Sequence, residues 1–118
     1  MARRQYEGAE QEAVVSWCFY NRILIFAIPN GGSRNKLEAA NLKRQGVKAG
    51  VPDLFVPIAR RGFHGLFIEM KHGKNTTTEK QDEWLEALNR EGYAARVCWG
   101  YSEAVELIKW YFAEDANK

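Results

Sequence analysis

The chain has 118 residues, of which 46% are hydrophobic and 27% are charged, a balance typical of one globular domain with a single core. Its formal net charge of +2 is too small to indicate nucleic-acid binding by itself. No N-terminal apolar run resembles a signal peptide, and no stretch approaches the ~20 apolar residues of a membrane span. We therefore expect one cytoplasmic domain over residues 1–118, with no membrane partner.

The cysteine content agrees with a reducing compartment. Cys18 and Cys98 each lie in an apolar run, so we expect two buried free thiols. A zinc site that combined them with His64 and His72 would lack the paired ligand spacing that such sites show. We therefore expect both cysteines to belong to the hydrophobic core and not to a metal centre.

The first part of the chain predicts a helix, a strand and a second helix. Residues 4–20 carry apolar side chains at helical spacing. The continuous apolar run 23–28 predicts a strand buried on both faces, and residues 29–33 follow as a loop. Residues 36–45 predict a helix that ends at Gly46.

Positive charge concentrates between Arg34 and Lys48, where five basic residues accompany the single acid Glu38. Such a segment suits a polyanionic ligand, although a solvated loop and helix would carry the same charges. The loop before it contains Asn30 beside two glycines. That composition would let backbone amides approach a phosphate, and it also fits an ordinary turn.

Residues 50–71 predict a β-hairpin with one apolar face and one polar face. The apolar face alternates through both arms and comprises Leu54, Val56, Ile58, Leu66, Ile68 and Met70. With a turn centred on Arg61, next to Gly62, Asp53 and Glu69 lie directly opposite each other, and Lys71 points to the same side as Glu69. Facing like charges destabilise a strand pair, so we expect a divalent cation bound between the two carboxylates.

The remainder of the chain predicts a basic loop, a helix over 79–91, a strand over 94–99 and a final helix whose N-cap is Ser102. Thr78 and Gln81 have the spacing of a capping box, so Gln81 either caps that helix or faces the polar side of the hairpin. The order helix, strand, helix, hairpin, helix, strand, helix predicts a three-layer α/β domain with a central mixed β-sheet flanked by helices.

Pro52-Asp53, followed by Glu69-Met70-Lys71, resembles the PD-(D/E)xK nuclease motif. The surrounding residues resemble the virus-type replication-repair nuclease (VRR-NUC) family, in the runs 45–54 and 28–32 and in Gln81 with Trp84. The resemblance covers nearly the whole chain from about Glu7 onwards. It implies the restriction-endonuclease-like fold and hydrolysis of DNA with Mg²⁺ or Mn²⁺, without a nucleotide cofactor.

The resemblance also implies a set of metal ligands. Asp53 and Glu69 would be the main ligands, and the backbone carbonyl of Met70 would complete the shell. A helical glutamate four residues before a glutamine would supply a third carboxylate. This selects Glu7 over Glu10, and Glu12 is a further alternative.

The remaining site residues follow from the same resemblance. Lys71 would position the attacking water or stabilise the phosphorane charge, and Gln81 would contact the catalytic site. Contacts to DNA are expected from a set of polar and basic residues: Asn30, Arg34, Lys36, Lys43, Lys48, His72 and Lys74.

Stand-alone viral-type members of the family resemble dimeric resolvases of four-way (Holliday) junctions. We therefore expect a phage-type homodimer that acts on branched DNA, in the host cytoplasm if a phage encodes it. The expected dimer contact uses late aromatic residues: Trp99, Tyr101, Trp110, Tyr111 and Phe112. A flap or non-specific DNA nuclease and a non-cleaving nucleic-acid-binding module are the alternatives.

Overall fold

The computed structural model describes residues 8–29 and 35–113. The elements follow the predicted order: α1 (Gly8–Tyr20), β1 (Phe26–Ala27), α2 (Lys36–Arg44), β2 (Leu54–Val56), β3 (Leu66–Lys71), α3 (Glu79–Arg90), β4 (Ala94–Trp99) and α4 (Tyr101–Phe112). The described strands form one sheet in the order β1-β2-β3-β4, in which β1 with β2 and β2 with β3 are antiparallel and β3 with β4 is parallel. The prediction of an α/β fold with a mixed sheet flanked by helices is confirmed.

The apolar face of the hairpin lies in the core. Leu54, Val56, Leu66 and Ile68 are fully buried, as their alternation predicts. They pack against buried side chains of α1 and α4: Val14, Cys18, Ala104, Ile108 and Tyr111. Burial of this apolar surface is the main favourable contribution to the fold, and it fixes which face of β2 and β3 is left for polar groups.

The opposite face of the hairpin is aromatic over most of its length. Phe55 and Phe67 stack with ring centroids 4.2 Å apart, and Tyr93 meets Phe67 edge-on at 5.3 Å. Helix α3 contacts the neighbouring strand β4, where the Asn89 amide bonds both backbone polar groups of Ala95 at 3.0 and 3.1 Å. The polar residues that the sequence places on this face therefore occupy only the end where β2 begins and β3 ends.

The first strand differs from its prediction. Only Phe26–Ala27 pair with β2, and both residues are exposed, whereas the run 23–28 was expected to be buried on both faces. The reason is position, because β1 pairs with β2 alone in the described sheet. An edge strand has no neighbour to cover its outer side.

The start of α4 also differs. The helix begins at Tyr101 with Gly100 as its N-cap, and Ser102 lies inside the helix. The Tyr101 N–H donates instead to the Glu10 carboxylate of α1 at 2.6 Å. A residue distant in sequence thus takes the capping role that local spacing assigned to Ser102, and this bond joins α1 to α4.

Two local predictions hold for the described part of the chain, namely the end of α2 and the burial of the two cysteines. Helix α2 ends as expected at Gly46, whose φ of 107° is the left-handed conformation of a helix C-terminus. Cys18 and Cys98 are buried free thiols, and burial raises their pKa to about 11 and about 12. None of the described helices is long and apolar enough to cross a membrane.

Candidate active site on the catalytic hairpin

The register of β2 and β3 brings Asp53 and Glu69 together. Leu54 pairs with Ile68 and Val56 with Leu66, so the next pair outward is Asp53 with Glu69. The chain reverses at Arg61 and Gly62, which both have positive φ, as a tight hairpin turn requires. The predicted pairing of the two acidic residues is therefore confirmed by the observed register.

Each carboxylate is held by its surroundings. An oxygen of Asp53 accepts a hydrogen bond from the Met70 backbone N–H at 2.7 Å, which ties the start of β2 to the end of β3. Glu69 is 3% exposed, and its carboxyl group is hydrogen-bonded to that of Asp53. Two acidic side chains in contact at a largely buried position are rare in proteins unless a proton or a cation lies between them.

The electrostatics of the pair reflect this contact. Burial, reinforced by the negative charge of Asp53, raises the pKa of Glu69 to about 8, although the Lys71 ammonium opposes the shift. Burial also raises the pKa of Asp53, opposed by the hydrogen bonds from Met70 and Glu69 and by Lys71. Burial and mutual repulsion therefore favour either one proton or a cation on this pair of acidic groups.

Lys71 lies on the same side of β3 as Glu69, as the strand period predicts. Its ammonium Nζ is 3.7 Å from Glu69 Oε2, and the two side chains are 12% and 4% exposed. One positive charge next to two acidic groups leaves the site with an excess of negative potential when both are ionised. That excess can attract a divalent cation.

A cavity of about 280 Å³ opens beside this group. Its lining comes from α1, from the hairpin and from the loop after β3: Gly8, Glu10, Gln11, Asp53, Met70, Lys71, His72 and Asn75. Gln11 and Asn75 add amide groups to the predicted residues. Of the predicted DNA contacts, His72 reaches this cavity, while Lys36 and Lys74 are exposed outside its lining.

The acidic residues of α1 are only partly described. Glu7, the predicted third carboxylate, lies outside the described residues, as do Asn30 and Arg34. Glu10 lines the cavity, but one of its oxygens is bonded to the Tyr101 N–H. Within residues 8–29 and 35–113, no group of three or more His, Cys, Asp and Glu side chains is placed to hold a metal ion.

The donor set nevertheless fits a hard divalent cation. Asp53 and Glu69 offer carboxylate oxygens in direct contact, and burial raises the pKa of both groups even though the Lys71 ammonium lies beside them. Met70 belongs to the lining of the adjacent cavity. Magnesium keeps several water ligands, so it does not need a complete set of protein ligands.

Gln81 makes both bonds of a capping box. Its side-chain oxygen accepts from the Thr78 N–H at 2.9 Å, and its N–H donates to the Thr78 hydroxyl at 3.2 Å. Gln81 does not line the cavity next to Asp53. The structure therefore places Gln81 at the start of α3, and its catalytic role stays a prediction.

Two of the predicted DNA contacts lie in a second cleft. Lys43 and Lys48 line it together with Lys80 and Trp84. Lys80 was missed from the sequence, because it lies in a different element and only the fold brings it beside Lys48.

The aromatic residues expected at a dimer contact divide into two groups. Tyr111 is fully buried, and its hydroxyl donates to the Ile58 carbonyl at 2.6 Å, so it belongs to the core. Trp99 and Trp110 are 40% and 38% exposed. Further exposed apolar side chains, which were not expected at a contact from the sequence, lie on α1 and around β1: Val15, Phe19, Tyr20, Leu24 and Phe26.

Comparisons with known proteins agree with this geometry. The family model described as "VRR-NUC domain" matches residues 5–101. A solved structure described as "VRR_NUC domain protein" is 36% identical, superposes with a TM-score of 0.78, and is matched over 94% of this chain and 91% of that chain. No curated protein matches the chain.

Proposed function

Because the chain belongs to the VRR-NUC domain family and is thus a nuclease domain with DNA as its substrate, we propose that it is a divalent-metal-dependent endonuclease. The observation that carries this proposal is the direct contact between Asp53 and Glu69 beside the Lys71 ammonium. Two acidic groups and one ammonium next to a polar cavity match the needs of phosphodiester hydrolysis. The reaction must bind a phosphate and activate water close to it.

Each residue of the site has a proposed role that follows from its chemistry. Asp53 and Glu69 would hold Mg²⁺ or Mn²⁺, with the Met70 carbonyl and Glu7 as the further ligands that the family resemblance implies. The bound ion supplies charge neutralisation at the phosphate and lowers the pKa of a bound water. The Met70 N–H fixes the orientation of Asp53, and burial fixes Glu69. Lys71 is positioned to orient the attacking water or to stabilise negative charge that develops on the phosphate.

We propose further that the protein acts as a homodimer on four-way junctions. One catalytic centre makes one cut at a time, whereas a junction with approximate two-fold symmetry needs two symmetric cuts. The exposed side chains of Phe19 and Tyr20 support self-association, because large apolar patches on soluble proteins mark interaction sites. These side chains replace the late aromatic residues as the proposed contact.

The test is a panel of labelled DNAs incubated with Mn²⁺, Mg²⁺ or EDTA. The panel contains single strand, duplex, nicked duplex, flap and four-way junction. The proposal expects cleavage that needs the metal and, on the junction, cuts on two opposing strands, with twice the monomer mass by light scattering. Equal cleavage in EDTA, or no cleavage of any substrate, contradicts the metal-dependent nuclease. A monomer that prefers flaps contradicts only the junction and the dimer.

A further inference from the structure

We infer that the protein has a second nucleic-acid subsite, which binds an unpaired nucleotide near the catalytic hairpin. It is the lysine cleft, a cavity of about 320 Å³ between the end of α2, the following loop and the first turns of α3. Its lining residues are Lys43, Val47, Lys48, Ala49, Lys80, Glu83 and Trp84. The inference rests on the proposed function in one respect, namely that DNA is the polymer bound.

The charge of the cleft suits a phosphate. Lys43, Lys48 and Lys80 are all exposed, and the lining contains one acidic residue, Glu83. No ion pair among the described residues joins any of these lysines to an acidic side chain. Their ammonium groups are thus directed at solvent, where they can neutralise phosphate charge and release counterions.

The apolar part of the lining suits a base. The half-buried Trp84 lines the cleft together with Val47 and Ala49, so aromatic and apolar side chains lie beside the three lysines. Aromatic side chains flanked by basic groups are the usual platform for single-stranded DNA, because every base has a face that can stack. A base within a duplex is already stacked on both faces, so this arrangement favours an unpaired nucleotide.

The walls of the cleft are fixed rather than mobile. The Val47 N–H donates to the Leu42 carbonyl at 3.0 Å, which holds the loop against α2. Gly50 has a φ of 92°, and a Cβ at this position would lie 2.8 Å from the Lys80 backbone. The loop therefore packs directly on the start of α3, which the capping box of Thr78 and Gln81 holds in place. Such a preformed site binds without a cost for ordering its walls.

Chain connectivity places the cleft close to the catalytic residues. Lys48 precedes Asp53 by five residues, through the fully buried Pro52. Five residues span at most about 18 Å. At about 3.4 Å per nucleotide along one strand, that distance corresponds to roughly five nucleotides. One DNA molecule with an unpaired position beside the scissile bond can therefore occupy both sites, as the centre or arm of a branched substrate would.

The experiment measures binding in EDTA, so that no cleavage is needed. Fluorescein-labelled oligo(dT) and a blunt duplex of equal length are titrated with wild-type protein and with Trp84→Leu. The leucine keeps apolar bulk but removes stacking. We expect affinity for oligo(dT) to fall about tenfold, as loss of one stacked base does, and affinity for the duplex to stay within about twofold.

Charge is tested with matched variants. Lys80→Gln should weaken the binding of both DNAs. The slope of log affinity against log salt concentration should become smaller by roughly 0.7 for oligo(dT). Lys109→Gln is the control, because Lys109 is an exposed lysine of α4 that pairs with Glu106. If Trp84→Leu does not fold, as judged by circular dichroism, the exposed double variant Lys43→Gln/Lys80→Gln should lose oligo(dT) affinity while Lys109→Gln retains it.

The inference is overturned if Trp84→Leu leaves oligo(dT) affinity unchanged or weakens the duplex equally. It is also overturned if polyglutamate displaces oligo(dT) as effectively as unlabelled oligo(dT), since that would indicate a general site for acidic chains. These results are independent of cleavage. Cleavage of DNA without any effect of Trp84→Leu on binding would contradict only the subsite. Binding through the cleft without any cleavage would contradict only the proposed nuclease activity.

Discussion

Two regions of this molecule reverse the usual rule of burial, in opposite directions. At the end of the hairpin, the acidic Glu69 is 3% exposed and touches a second carboxyl group. At the end of α1, the apolar Phe19 and Tyr20 are 76% and 81% exposed. A buried pair of acidic groups and exposed aromatic side chains are both unfavourable for an isolated chain, so each region is the basis of one proposed partner.

The partners differ in kind. The hairpin end has a fixed geometry, set by the β2–β3 register and by the bond from the Met70 N–H to Asp53, so it can select a small cation. The end of α1 exposes aromatic side chains and no carboxylate pair, so it suits contact with another protein surface and not with an ion. The comparison therefore separates the proposed metal site from the proposed dimer contact, and each can be broken without disturbing the other.

The largest expected effect is on catalysis, from Lys71→Ala. Removing the ammonium should lower the cleavage rate about 100- to 1,000-fold, as loss of one positioned charge at a phosphate does. The fold should persist, because Lys71 lies on the polar side of β3 and fills no core position. Single-turnover cleavage in Mn²⁺ measures the effect, with Lys109→Ala as the control. Near wild-type turnover for Lys71→Ala would remove this residue from the mechanism.

A large effect is also expected on stability as a function of pH. In the folded chain the pKa of Glu69 is about 8, above its ordinary value of 4.5. The folded state then holds a proton that the unfolded state has lost, so the free energy of unfolding in EDTA should fall as pH rises from about 4.5 to about 8.

The loss across that pH window should reach at most a few kcal/mol, and Glu69→Gln should remove this slope. Urea unfolding at a series of pH values measures both proteins. A wild-type curve that is as flat as the Glu69→Gln curve would show that Glu69 is not held in a desolvated, acid-paired position.

The other half of the comparison is tested by Phe19→Glu. A charge at this exposed position should halve the mass measured by light scattering, since the dimer contact would have to bury it unpaired. Trp110→Glu is the informative counterpart, because the contact expected from the sequence lies among the late aromatic residues. If Trp110→Glu dissociates the dimer and Phe19→Glu does not, the dimer contact lies on α4 and not on α1.

A smaller effect separates two roles for Gln81. Thr78→Ala and Gln81→Ala each remove one bond of the capping box, so both should lower stability by about 1 kcal/mol. We expect similar cleavage rates for the two variants. A much slower Gln81→Ala enzyme, with Thr78→Ala unaffected, would support the catalytic role that the family resemblance implies.

The residues also show which features a sequence can reveal. The strict alternation at Leu54, Val56, Leu66 and Ile68 defined the buried face, and the β2–β3 register that aligns these residues places Asp53 opposite Glu69. These are local, periodic signals. The expected burial of residues 23–28 was wrong, because hydrophobicity alone does not distinguish an edge strand from a central one.

Contacts between distant segments could not be predicted. The cap that Glu10 supplies to Tyr101 joins residues 91 positions apart, and only the packing of α1 on α4 creates it. Lys80 joins Lys48 in one cleft for the same reason. In each case the sequence contained the right chemical groups, and tertiary structure decided which of them meet.

The most direct measurement of the central claim is a thermal melt of wild-type protein and Asp53→Asn, in EDTA and in Mg²⁺, at a pH above about 8 where Glu69 is ionised. In EDTA the variant should melt higher, by about 4 °C for each kcal/mol of relieved repulsion. In Mg²⁺ the order should reverse, because only the wild type retains both carboxylate ligands. If Mg²⁺ leaves the melting temperature of the wild type unchanged, and the variant melts at a lower temperature than the wild type in EDTA, a cation site at Asp53 and Glu69 is contradicted.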